Sequence, residues 1–250
     1  ILCYPGGKAG NFTIPNSVTS IESYAFYKCT SLTDVKIPDS VKSIGSRAFQ
    51  SCTSLTSVII PDSVKSIGYE AFHDCTNLTE IVVDFNNKSY TSKDGILFDK
   101  SLETIICYPE GKVGNFTIPD SVTSIGAEAF YGCTSLTDVT IPNSVTSIGG
   151  YAFYNCTSLT DIIIPDSVTS IEGGTFYNCA NLTTITISDG VTSIGENVFY
   201  NCTSLTDVTI PDSVTSIGYE AFYRCTSLTT IMIPDSMIIL EDGHLNIVQI

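Results

Sequence analysis

A proline recurs every 23 residues, at Pro15, Pro38 and Pro61 and again at Pro119, Pro142 and Pro165; Ser188 takes the next place, and Pro211 and Pro234 follow. A fixed period of this length is the signature of a repeat architecture and decides the fold class before any local propensity is weighed. The unit reads AFYxCTSLTDVTIPDSVTSIGxx, and its Phe-x-x-Cys element occurs in eight copies: Phe26/Cys29, Phe49/Cys52, Phe72/Cys75, Phe130/Cys133, Phe153/Cys156, Phe176/Cys179, Phe199/Cys202 and Phe222/Cys225. One unit has too little apolar surface to form a core alone, whereas stacked units share one, each touching only its neighbours. The chain is predicted to be a repeat solenoid, one domain over residues 1–250.

Within a unit, alternation places Leu32, Val35 and Ile37 inward, with Asp34 and Lys36 on the opposite side. That predicts one short parallel strand per turn, stopped by a proline that has no N–H for the ladder. Asp-Ser or Asn-Ser after the proline supplies turn chemistry. Val41 and Ile44 then point inward, Gly45 permits a tight bend, and Ala48, Phe49 and Cys52 fill the far side. No stretch keeps helical periodicity long enough to nucleate a helix, so β structure with short turns and little or no regular helix is expected.

The period breaks once. Pro61 and Pro119 are 58 residues apart, which is one regular unit and one enlarged, irregular unit of 35 residues, placed at 84–118. Its apolar runs at 95–98 and 102–108, separated by Asp99, Lys100 and Ser101, read as a hairpin. Residues 1–15 repeat 105–119 almost letter for letter, so a longer period of 104 overlies the short one. From Ser236 the tail 236–250 leaves the consensus and is expected to cap the core. The amino end has no cap in its sequence, which exposes strand edges to end-to-end self-association. It also has neither an initiating Met nor a basic leader, and reads as a piece of a longer chain.

Acidic residues outnumber basic ones 26 to 11, giving a net charge of -15. The excess lies in the second half, where Arg224 faces 14 acidic residues from position 113 onward. Such a chain repels phosphate, which excludes nucleic acid and anionic membranes as expected partners. No run of 18 apolar residues exists, so no membrane insertion is expected of these residues.

Eight of the ten cysteines share one repeat position beside a core phenylalanine. They read as a stack of inward free thiols; bridges between adjacent turns remain an alternative, and no C-x-x-C pair supports a metal. Asp34, Asp138, Asp161 and Asp207 form a solvated row without a calcium-loop pattern. His73 and His244 sit in unrelated settings. No catalytic signature, cofactor motif or metal set is present. A pocket lined by His73, Asp74 and residues 84–104 is the one place where an enzyme site would fit.

Two rows are candidate ligand-binding surfaces. On the strand face Ile59, Val82, Ile163 and Met232 are apolar though predicted exposed, among Lys36, Thr140, Thr186 and Thr209. Beside the core phenylalanines run Tyr27, Tyr131, Tyr154, Tyr177, Tyr200 and Tyr223, interrupted by Gln50 and His73. Aligned tyrosines are rigid amphipathic contact groups, suited to interfaces and to stacking on sugars. Each ring equally suits shielding of the joint between turns.

The motifs L-x-x-V-x-I-P, S-V-x-S-I-G and A-F-x-x-C resemble the leucine-rich repeats of BspA-like bacterial surface proteins, over almost the whole chain. The enlarged unit with GILFDKSLETIICYP resembles a variant inserted between regular repeats of such proteins. The asparagine of the commonest leucine-rich-repeat ladder is missing; a serine row, Ser17, Ser40, Ser63, Ser121, Ser144, Ser167, Ser213 and Ser236 with Gly190 once, is expected to bond between turns instead. The resemblance implies a secreted or cell-surface, non-catalytic adhesion scaffold. Its partners would be host or microbial surface proteins or glycans. A structural spacer with no ligand of its own is the alternative.

Overall fold

The computed structural model describes residues 10–234, and its contacts divide the chain into two compact units, Ile1–Lys112 and Val113–Ile250. The expected cap at 236–250, Ser236, His244, Cys3 and the expected open amino end all lie outside the described residues.

Each unit is a β-solenoid built from turns of 23 residues, with parallel strands and, among the described residues, no helix. In the first, Gly10–Thr13 pairs with Leu32–Lys36, and Ser57–Ile60 with Glu80–Val83. In the second, Gly114–Thr117 pairs with Leu136–Thr140, and Asp161–Ile164, Thr184–Ile187, Asp207–Thr209 and Thr230–Met232 form one four-stranded sheet. Leu32, Val35 and Ile37 are buried while Asp34 and Lys36 are exposed, as the alternation requires. Leucine and valine three positions apart share a face because the register slips there: Gly10 faces Leu32 but Asn11 faces Asp34, leaving Thr33 as the extra residue of a bulge.

A second ladder joins the expected strand in every regular turn. The two-residue strands Ser20–Ile21, Ser43–Ile44 and Ser66–Ile67 pair in register, as do Ser170–Ile171, Ser193–Ile194 and Ser216–Ile217. Two residues are too short a run for alternation to reveal. Gly45 and Gly68, which follow two of these strands, have ordinary φ, so bending is not their purpose. A Cβ on Gly45 would lie 2.4 Å from Ser23 N, and one on Gly68 would lie 2.3 Å from Ser46 N: the turns touch backbone to backbone here.

The Ala-Phe-x-x-Cys arc is a chain of tight turns whose N–H groups alternate in use. Those of Ala25, Tyr27 and Cys29 close turns onto Glu22, Tyr24 and Phe26; those of Tyr24, Phe26 and Lys28 donate to Ser46, Ala48 and Gln50 of the next turn. Tyr24 and Lys28 take φ of 61° and 56°, and the same two positions are left-handed in the following arcs, at Arg47 and Ser51 and at Glu70 and Asp74. Left-handed backbone costs a non-glycine residue about 1–2 kcal/mol. The bonds between turns offset part of that cost, because the N–H groups of Tyr24, Phe26 and Lys28, like those of Arg47, Phe49 and Ser51, each find a carbonyl in the next turn.

Four members of the serine row bond between turns as expected. Ser40, Ser63, Ser167 and Ser213 donate through Oγ to the carbonyls of Val18, Val41, Val145 and Val191 in the preceding turns, whereas the buried Ser144 hydroxyl finds none.

The enlarged unit forms a meander of three antiparallel strands, Tyr90–Lys93, Ile96–Asp99 and Thr104–Cys107. The last two are the expected hairpin; the first was not legible, since Tyr-Thr-Ser-Lys is mostly polar. Lacking a regular arc, this unit offers side chains where a regular turn offers carbonyls. Ile67 N donates to the Tyr90 hydroxyl at 3.0 Å, and Asp74 N to Glu110 Oε1 at 2.6 Å. Fully buried Asn87 donates to the carbonyls of Pro61 and Val64, at 2.8 and 3.0 Å, and accepts from the N–H groups of Ser89 and Tyr90.

Candidate binding surfaces

Three side-chain columns run from turn to turn. The innermost is phenylalanine: Phe130, Phe153, Phe176, Phe199 and Phe222 stack at 4.8, 5.4, 5.7 and 5.1 Å between ring centroids, and Phe26, Phe49 and Phe72 repeat the arrangement in the first unit. Offset stacking of this kind contributes about 0.5–1.5 kcal/mol per pair beyond burial.

Beside it the eight repeat cysteines are buried as free thiols, together with the partly buried Cys107. Six of their Sγ atoms donate to the carbonyl of the phenylalanine in the preceding turn, among them Cys52 to Phe26 at 3.1 Å, Cys156 to Phe130 at 3.1 Å and Cys179 to Phe153 at 3.2 Å, whereas Cys29 and Cys133 donate to the carbonyls of Tyr27 and Tyr131 in their own turns. Cysteine suits this position because it packs as a small hydrophobe and still satisfies a buried acceptor. Burial suppresses the thiolate, pushing Cys225 up to about 12, and burial with the nearby Glu110 does the same to Cys107. Reactivity follows the thiolate. Cys107 and Cys225 are therefore expected to resist iodoacetamide at pH 8 in the folded protein and to react fully in denaturant, as intact-mass measurement would report. Fast native labelling of either would contradict the buried column.

The third column is tyrosine. Tyr131, Tyr154, Tyr177 and Tyr200 stack at 4.8, 5.0 and 4.5 Å, and Tyr223 lies tilted by 31° against Tyr200 at 5.1 Å. All five are half-buried, whereas Tyr27 in the first unit is exposed. Ring faces are covered by neighbouring rings, so the column offers edges and hydroxyls rather than free faces. Next to it lies an asparagine ladder that sequence reasoning missed: Asn178 Nδ2 donates to Asn155 Oδ1 at 2.6 Å, and Asn201 Nδ2 to Asn178 Oδ1 at 2.5 Å. Its signal was present in the recurrence of Asn before Cys156, Cys179 and Cys202, at the left-handed place where asparagine is tolerated.

On the strand faces Ile59, Ile163 and Met232 are 61%, 62% and 58% exposed, as expected, while Val82 is half-buried because its strand packs against the meander. Ile59 and Val82 are register partners and lie side by side. Ile163 and Met232 are separated: Ile163 pairs with Thr186, and Met232 with Thr209. Asp138, Asp161 and Asp207 are exposed along the same face, and Asp34 on that of the first unit. The surface is thus threonine and aspartate with isolated apolar points.

At the position suggested for an enzyme pocket, His73 and Asp74 are engaged with neighbouring carboxylates. His73 is 8% exposed, its Nδ1 lies 3.9 Å from Glu70 Oε2, and the Asp74 N–H is held by Glu110. Among the described residues no three metal-ligating side chains converge, and no helix is long and apolar enough to cross a membrane.

A family model for the BspA type leucine rich repeat region matches residues 3–111, 100–229 and 169–247. Among solved structures, a leucine rich cell surface protein from Faecalibacterium prausnitzii A2-165 is 39% identical, with a TM-score of 0.81, over 89% of this chain and 59% of its own. The chain therefore spans less than two thirds of that relative's length. A leucine-rich repeat protein from Eubacterium ventriosum is 26% identical, with a TM-score of 0.67, over 92% of this chain and 80% of its own. The pneumococcal vaccine antigen PcpA, 21% identical with a TM-score of 0.67 over 94% of this chain and 68% of its own, shares the fold. No curated protein matches the chain. The Phe, Cys and Ser-Ile ladders recur on both sides of the enlarged unit, and the chain belongs to the BspA type leucine rich repeat family.

Proposed function

We propose that this chain is a non-catalytic binding scaffold of a bacterial cell surface, engaging host or microbial surface proteins or glycans in adhesion. The observation that carries the reading is the strand face of the second unit, where Ile163 and Met232 project 62% and 58% exposed from a parallel sheet rimmed by Asp161 and Asp207. Apolar anchors in a polar, acidic field suit a large partner with basic groups around small apolar hollows. Ile59 and Val82 offer a second apolar point on the first unit, and the Tyr131, Tyr154, Tyr177, Tyr200 and Tyr223 column adds hydroxyls. Cell-surface placement follows the description of the F. prausnitzii relative.

The test is an array of host matrix proteins and glycans at low and physiological salt, with a charge-matched acidic repeat protein as control. Saturable, salt-tolerant binding is expected. Ile163→Asp and Met232→Asp are each expected to weaken it at least about tenfold, or roughly 1.4 kcal/mol, with unchanged thermal unfolding. Undiminished binding by both variants would rule out the strand face. Silence across the array from folded protein would favour the spacer reading, which the tyrosine rings support by spending their faces on one another.

A further inference from the structure

The tyrosine column has a property that neither adhesion nor spacing uses. Tyr177 and Tyr200 stack with centroids 4.5 Å apart and planes within 4°, and Tyr131 and Tyr154 at 4.8 Å, also within 4°. These four rings are half-buried, so they keep some access to solvent although they lie face to face. Burial together with the neighbouring Tyr200 and Tyr154 raises the pKa of the Tyr177 phenol. The phenylalanine column stacks too, Phe176 on Phe199 at 5.7 Å, but has no phenol to oxidise.

We infer that the column is a site of oxidative tyrosine–tyrosine coupling, in which a haem peroxidase with hydrogen peroxide joins Tyr177 to Tyr200, and secondarily Tyr131 to Tyr154. The oxidant removes one electron and one proton from each phenol. The two radicals pair their spins at ring carbons ortho to oxygen, forming one Cε–Cε bond. The hydrogens on those carbons move through solvent to the oxygens, which restores both phenols. One hydrogen peroxide is reduced to two waters, so atoms and electrons balance.

Coupling is normally limited by the encounter of two short-lived radicals. Here the solenoid holds the partners in contact beforehand, which makes the step unimolecular and raises the effective concentration of each ring around the other by orders of magnitude. Tyr24 and Tyr27, at 5.6 Å with planes at 90°, meet edge to face and lack this arrangement. The bond would tie residues 23 positions apart and staple adjacent turns, restricting the unfolded chain as a disulfide does.

The full chain, dilute and folded, is treated with horseradish peroxidase and hydrogen peroxide. Expected are blue dityrosine fluorescence at unchanged monomer mass, formed at a rate independent of protein concentration. Digestion at aspartate and peptide mapping should link Tyr177 to Tyr200. Tyr200→Phe keeps a ring in the stack and should abolish that link while the Tyr131–Tyr154 link persists; Tyr131→Phe should do the reverse. In urea the intramolecular yield should fall at least tenfold. Coupling confined to covalent dimers through the exposed Tyr69 or Tyr219, equal yield in urea, or oxidation collected on the cysteines instead would overturn the inference.

Discussion

Phe176→Ala is expected to remove about 3–5 kcal/mol from the stability of the second unit, a large share of the 5–15 kcal/mol typical of a folded domain. Phe176 is fully buried and lies between two rings, 5.4 Å from Phe153 and 5.7 Å from Phe199. Truncation leaves a hole with a phenyl on each side, and backbone bonds such as Phe153 N to Thr175 O and Phe176 N to Val198 O prevent the turns from closing over it. A repeat protein is stabilised by nearest-neighbour terms, so a loss at a middle turn breaks two interfaces. Phe222→Ala, whose one stacking contact among the described residues is Phe199, should cost less. Urea unfolding followed by circular dichroism measures both. Equal losses would show that stacking between turns contributes little beyond burial.

The second large effect is on pH. Burial pushes His73 down from its ordinary 6.5 to about 4, against the pull of Glu70 and Asp74. Burial pushes Glu110 up from 4.5 to about 8, with Asp74 adding to the rise and the hydrogen bond from the Asp74 N–H opposing it. Arg47 grips Glu70 through two bonds, Nε to Oε2 at 2.7 Å and Nη2 to Oε1 at 2.6 Å, which holds the Glu70 carboxyl below its usual range. Stability from Glu110 is complete below 4.5 and is lost as pH rises through about 8, because the folded state keeps a proton that the unfolded chain has released. Stability from His73 is complete above 6.5 and is lost as pH falls toward about 4, because there the unfolded chain binds a proton that the folded state refuses. Between 4.5 and 6.5 folding moves one proton from the histidine to the carboxyl with no net uptake, so these two groups produce a flat stability profile.

Each single variant should tilt that plateau. Glu110→Gln leaves stability rising with pH toward 6.5, and His73→Tyr leaves it falling from 4.5 upward, in each case by about 1.4 kcal/mol per pH unit. Glu110→Ala should cost a further 1–3 kcal/mol or so at every pH, since the Asp74 N–H loses its acceptor. Urea midpoints across the pH range give these slopes. A His73→Tyr profile as flat as the parent's would falsify the proton exchange.

The period alone made the solenoid legible, along with the inward Phe, Cys, Leu and Ile positions and the serine bonds between turns, because every residue has a counterpart 23 positions away. Stacking places like on like, so one row of letters is also one row of contacts. The same logic located the tyrosine and strand-face rows. It did not reveal that Tyr177 and Tyr200 cover each other's faces, since a row of letters has no ring orientation. Nor did it separate the half-buried Val82 from the exposed Ile59, Ile163 and Met232, since exposure depends on what packs over each strand.

Where the period failed, sequence reasoning stopped at a hairpin. An interrupted repeat has no counterpart from which to infer a contact, and Asp74 meets Glu110 across 36 residues through a side chain that no regular turn carries. Sequence by itself determined the repeated turn, its buried columns and the family, because nearest-neighbour stacking makes local pattern and contact the same information. Only the tertiary structure decided how the enlarged unit satisfies the orphaned donors of its neighbour. A buried N–H demands some acceptor but does not specify which residue supplies it.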